Sequence, residues 1–347
     1  MRLSLHRRTA ELRRTYTGEN NSTLMPATHA ILGELSATDR VNMKTLLDSD
    51  FGARLLGEPE PIVDPAIRAS VLPDATTHRQ RELEAAMLLA LGRVHSYRSH
   101  DQGFPLRALC RRVHPALDGL ALTLSLHTLA AVLAEILPRE DNGDLRGLAG
   151  LRFGLHHRHV QLYLADADPH ATVLVPATSH RQFAAALAFA TAVTGSTAHP
   201  TDEPAPLSEA EQLAITLGAA RGPVALESAV LRRFGLFREA DWTAIDVVGA
   251  TCLRIDWAGG PTPALVAQQL THPIAGLPDD VFSTTSLPDG TILLGCAGLG
   301  GVISLRRHSA TPGQPHTDMA WKAFTSVING SNPTVTPTTL RREGTPA

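Results

Sequence analysis

LRFGLHHRHVQLYLADADPHATVLV (residues 151–175) holds three short strand-like runs with no helix between them. Val160, Leu162 and Leu164 alternate with polar neighbours, the period of a strand with one buried face, and the runs 151–155 and 172–175 flank them. The HHRH tetrapeptide at 156–159 then reads as the polar tip of a hairpin. Consecutive strands without crossover helices do not build a doubly wound parallel sheet, so this stretch assigns the chain to the α+β class.

Working outward toward the N-terminus, a helix is expected over 128–137, stopped by Pro138, and extended runs at 106–113 and 120–124 flank an Asp118-Gly119 turn. Before them, Leu83, Met87, Leu91 and Val94 recur at helical spacing behind Thr77, a suitable N-cap. Toward the C-terminus, Ser179 caps a helix that ends near Gly195. The segment 196–207, STAHPTDEPAPL, has the composition of a linker. Beyond it a similar order returns: helices near 209–220 and 224–234, a strand at 251–257, a helix at 263–270, and strands near 281–285, 291–296 and 301–306. Thr128, Ala130 and Val132 match Thr262, Ala264 and Val266 at a constant offset, which suggests a diverged internal duplication. The expected organisation is a basic helical extension with a Pro-rich connector (1–77), a first α+β lobe (78–195), the linker, a second lobe (208–310) and a disordered tail (311–347) interrupted by a short helix at 318–329.

The 347 residues are 43% hydrophobic but only 4% aromatic, with a formal net charge of −3. That is enough apolar material for a large core, and too little aromatic surface for stacking single-stranded nucleic acid. A mildly acidic chain is not a general nucleic-acid coat. The lysines are Lys44 and Lys322, so nearly all positive charge is arginine, as GC-rich bacterial coding produces. Cys110, Cys252 and Cys296 form no CxxC pair, which argues against a disulfide framework or structural zinc. No apolar run reaches the roughly eighteen residues of a membrane span, and a cytoplasmic protein without cofactor or metal is expected.

Candidate chemistry is sparse. The 156–159 histidines have an arginine in their midst and lack a converging ligand set. The glycine-rich run 295–301 fits neither phosphate-loop pattern and reads as a hairpin. The helices 209–220 and 224–234 have helix-turn-helix length. However, the exposed early positions expected of the second, Glu227 and Ser228, are not base readers, and Arg232 and Arg233 come late. No nucleophile motif appears.

Two terminal segments suggest partners. In residues 1–18, Arg2, Arg7, Arg8, Arg13 and Arg14 face one acid, Glu11. Helical projection puts Leu5, Thr9, Leu12 and Tyr16 on one side, Arg7 and Arg14 opposite, and Arg8 and Arg13 at the flanks. Near the C-terminus Trp321, Phe324 and Ile328 share a helical face suited to packing on its own domain or docking a partner. The expectation is a non-enzymatic binding or adaptor protein, associating with nucleic acid through Arg7, Arg8, Arg13 and Arg14 or with another protein. The alternative is an enzyme whose site lies between the lobes and draws on His157, His159, Cys252 and Asp280.

Overall fold

The computed structural model describes residues 4–48, 64–97, 109–141, 144–167, 171–195, 206–217, 223–309 and 318–330. Expectations for 49–63, 106–108, 196–205, 310–317 and 331–347 lie outside them. Among the described residues the chain opens with helices α1 (Leu5–Thr17), α2 (Asn21–Glu34), α3 (Ala37–Asp48) and α4 (Pro65–Val71). The first lobe contains α5 (His78–Arg93), β1 (Cys110–Pro115), β2 (Leu120–Leu124), α6 (Leu126–Ile136), the hairpin β3 (Arg139–Asp141) and β4 (Asp144–Arg146), β5 (Leu151–Leu155), β6 (His159–Leu164), β7 (Thr172–Pro176) and α7 (His180–Thr194). After α8 (Glu209–Thr216) the second lobe runs α9 (Val224–Arg232), β8 (Ala240–Val248), β9 (Cys252–Gly259), α10 (Pro263–Leu270), β10 (Phe282–Ser286), β11 (Ile292–Cys296), β12 (Gly301–His308) and α11 (Asp318–Ile328). This is an α+β fold of two strand-and-helix lobes.

Local signals set many element boundaries. The Thr77 hydroxyl accepts the Gln80 amide at the start of α5. Ser179 and Gln182 form a reciprocal capping box on α7, and Gly195 closes that helix at φ 67. The glycine-rich run between β11 and β12 is a hairpin turn, held by the Asp279 carboxylate accepting the Leu299 and Val281 amides. Strand β8, absent from the sequence expectation, starts with a register shift between Ala240 and Trp242 and mixes Asp241, Thr243 and Asp246 into its apolar pattern. Its alternation is therefore weak.

The two sheets share one topology. The first has order β1-β2-β7-β6-β5 and the second β8-β9-β12-β11-β10. In each the central pair is parallel, β2 with β7 and β9 with β12, and every other pair is antiparallel. Each lobe also begins and ends with a helix and has another after its first hairpin. The residue match expected from the sequence needs correction. Thr262 caps α10, whereas α6 is capped by Ser125, with Thr128 already inside the first turn. Pairing cap with cap moves the correspondence by one turn and aligns the buried Leu129, Ala130 and Leu133 with Val266, Ala267 and Leu270.

The lobes interlock rather than stand apart, and one cluster of buried side chains runs through both. Helix α5 of the first lobe packs on β8 of the second sheet. A Cβ at Gly92 would lie 2.4 Å from Ile245, so only glycine permits that approach. In return α11, which follows the second sheet, lies on α7 of the first lobe. A smaller core of Leu32, Met43, Leu46, Ile67, Val71 and Ile274 joins the N-terminal helices to the second lobe, where Arg68 on α4 donates to the Pro273 and Gly276 carbonyls.

Candidate ligand cleft at the junction of the lobes

The N-terminal arginines divide by position on α1. Its buried face carries Thr9, Ala10, Arg13, Tyr16 and Thr17, and Leu5 and Leu12 are half-buried against the smaller core. Arg13 donates to Glu19 at 2.7 Å and to the Val71 carbonyl at 3.0 Å. Burial alone would raise the Glu19 carboxyl, but hydrogen bonds from His114, Arg13 and Thr17 and the Arg13 charge outweigh it and hold the group at about 2. Arg8 pairs with Asp48 at 2.6 Å. Arg7 and Arg14 remain exposed on the opposite side. The Tyr16 hydroxyl reaches the Gln269 carbonyl of α10 at 2.8 Å, so α1 is a tie between lobes rather than an appendage.

The stripe on α11 is also occupied within the chain. Trp321 and Phe324 are buried, with Trp321 4.1 Å from Phe189 between ring centroids; Phe324 stacks on His127 and Trp321 lies tilted against it. Trp321 Nε1 donates to the Tyr97 carbonyl, and Ile328 packs at the edge of the same core. In this conformation Trp321, Phe324 and Ile328 are therefore not presented to a partner.

Between α5 and α9 lies a polar seam. Arg232 and Glu84 are both 0% exposed and pair at 2.6 Å. Arg232 also donates to the Pro73, Ala116 and Gly119 carbonyls, so all five of its N–H groups have acceptors. Ser228 and Gln80 complete the coordination of Glu84. Arg233 binds Asp74 and the Ala275 carbonyl. These consecutive arginines hold α5, α9, the segment before α5 and the β1–β2 turn together. The helix-turn-helix geometry is corrected accordingly: Arg232 and Arg233 are internal, and Glu227 and Ser228, expected at the surface, are buried.

On the other side of the α5–α9 contact is a cleft of about 80 Å³. Ala85, Ala86 and Leu89 of α5, Leu148 and Ala149, Ala214 and Ile215 of α8, and Val224 of α9 form its apolar wall. Helix α8 is set over it by Glu211, which completes a capping box with Ser208 and accepts from Gly150 N and twice from Arg152. At the rim Arg79 pairs with Glu82 and with Asp166, the latter at 2.6 Å. Glu227, 1% exposed, also lines the cleft, and its Oε1 has no hydrogen-bond partner. Glu19, Glu84, Glu211 and Asp279 are buried too, but each accepts hydrogen bonds. Burial without compensation raises the Glu227 carboxyl to about 7. Arg79 Nε, buried and unpartnered, belongs to the same cleft. The sequence signal for Glu227 was faint: one carboxylate inside VALESAVL of α9, which is apolar apart from it and Ser228.

The residues considered for catalysis are not gathered. His157 and His159 sit on the β5–β6 hairpin of the first sheet, Cys252 begins β9 of the second, and Asp280 is exposed before β10. Burial raises the Cys110 thiol to about 12, and burial with the Asp279 charge does the same to Cys296, so neither supplies a thiolate at neutral pH. His308 pairs with Asp256 at 3.0 Å on the open face of the second sheet. Among the described residues no group of three or more His, Cys, Asp or Glu is placed to hold a metal ion, and no helix is long and apolar enough to cross a membrane. No family model matches the chain, and no curated protein or solved structure is significantly similar to it.

Proposed function

We propose that the chain is a non-enzymatic binding protein whose ligand site is the cleft between α5, α8 and α9. The observation that carries this reading is Glu227: a buried carboxylate with an unbonded oxygen, in a largely apolar recess, where the other buried carboxylates among the described residues accept hydrogen bonds. Leaving such a group unmet costs about 1–3 kcal/mol or more, and a ligand that meets it recovers that energy. Catalysis has less support, because among the described residues the acid stands without a nucleophile in the cleft, and Arg79 at the rim is paired with Glu82 and Asp166. The test is n-propanol, a small apolar probe, followed by backbone amide shifts. Changes are expected at Ala85, Ala86, Leu89, Ala149, Ile215 and Glu227, and Ala86→Trp should abolish them by filling the recess. Shifts scattered over the surface, or unchanged by Ala86→Trp, would overturn the reading.

Association with nucleic acid is the second reading. It now rests on Arg7 and Arg14, exposed on one side of α1, with the Arg238 guanidinium 3.5 Å from the Arg14 carbonyl. Contacts of this kind read backbone charge and not base sequence.

A further inference from the structure

We infer that the cleft receives an aliphatic primary ammonium group, with the Glu227 carboxylate as its counter-ion and the apolar wall around its methylenes, an assignment that rests on the cleft being a ligand site. The argument is one of elimination by chemistry. An anion entering the recess would face Glu227 and Glu82, while Arg79, the cationic side chain lining it among the described residues, has both terminal nitrogens engaged by Glu82 and Asp166 and keeps only its Nε unpartnered. A purely apolar ligand would fit Ala85, Ala86, Leu89, Ile215 and Val224 but leave Glu227 Oε1 without a donor, at the full desolvation penalty. A neutral donor meets that oxygen. A cationic donor meets it and also compensates the charge, giving the shorter and stronger charge-assisted bond.

Size narrows the class. A cavity of about 150 Å³ accommodates benzene. In the same proportion about 80 Å³ accepts a group of roughly three heavy atoms. That matches the tip of an aliphatic amine. A free alkylamine and a lysine side chain presented by a partner share this tip.

The experiment compares n-propylammonium with n-propanol, its neutral isostere, by amide shift titration at pH 8, where the carboxylate is mostly ionised. Wild type should bind the ammonium at least tenfold more tightly than the alcohol. Glu227→Gln should lose that preference to within twofold while keeping its amide spectrum. In the wild type, saturating n-propylammonium should lower the Glu227 titration midpoint by at least one pH unit, and propanol should leave it in place. Equal binding of the two probes, or a preference that survives Glu227→Gln, would overturn the ammonium assignment and leave the cleft standing. If neither probe moved the cleft amides, the cleft reading itself would fall. Nα-acetyl-lysine N-methylamide, whose ε-ammonium is free, separates the sources: tighter binding than n-propylammonium identifies a protein-borne lysine, and equal or weaker binding a free amine.

Discussion

Glu84 and Glu227 lie on two sides of the same α5–α9 contact, and the fold treats them in opposite ways. Glu84 is met by Arg232, Ser228 and Gln80, and Arg232 in turn closes on three backbone carbonyls, one from the segment before α5 and two from the β1–β2 turn. Glu227, the residue before Ser228 on α9, lines a recess walled mostly by alanine, leucine, isoleucine and valine, and its buried Oε1 has no partner. Burial does not distinguish them, since both are almost fully enclosed. Partners do. A buried carboxylate with matched donors locks helices together, while the same group without them carries an uncompensated desolvation cost.

The largest expected effect is on the satisfied side. Arg232→Met leaves Glu84 buried and uncompensated and should destabilise the fold by about 3–5 kcal/mol in urea unfolding. A loss below 1 kcal/mol would mean the seam is not what joins the lobes. Next come two glutamates with opposite pH signatures. Glu19 sits at about 2, below its ordinary 4.5, so its stabilisation is whole above pH 4.5 and is lost as the pH falls through that interval. Glu19→Gln should cost about 2–3 kcal/mol at pH 7 and little at pH 2. Glu227 sits at about 7, so the folded chain holds the proton more tightly and stability falls as the pH rises from 4.5 past 7. Glu227→Gln should therefore stabilise the protein by up to about 3 kcal/mol at pH 8 and change little at pH 4. Unfolding curves of wild type and variant that run parallel across this range would erase the contrast between the two sides.

The smallest effect belongs to the surface of α1. Arg7→Ala with Arg14→Ala should shift stability by no more than about 0.5 kcal/mol. If the chain binds duplex DNA there, the salt slope should be roughly −2, about −0.9 for each phosphate met, and should vanish in the double variant. A slope unchanged by that variant would remove α1 from the interface.

Much of the secondary structure was legible because its causes are local. Thr77 and Ser179 cap their helices as expected, Val160, Leu162 and Leu164 face the core, and the 295–301 glycines make a hairpin. Helix α6 is capped by Ser125 and starts at Leu126, not at Thr128, since both Ser125 and Thr128 can cap and only the observed geometry separates them. For the arginines of α1, helical projection separated Arg7 and Arg14 from the apolar stripe, but it could not supply Glu19 and Val71 as partners that take Arg13 inside.

What the sequence determined alone was the α+β class, most of the element order and the amphipathic character of the terminal helices, all governed by periodicity and by caps reaching three or four residues. What the tertiary structure decided was which charges are used and which are free. Glu84 and Arg232 meet across 148 positions, and Trp321 reaches Tyr97 across 224. Whether a buried carboxylate such as Glu227 finds a donor depends on how two lobes close on each other, and no local pattern encodes that closure.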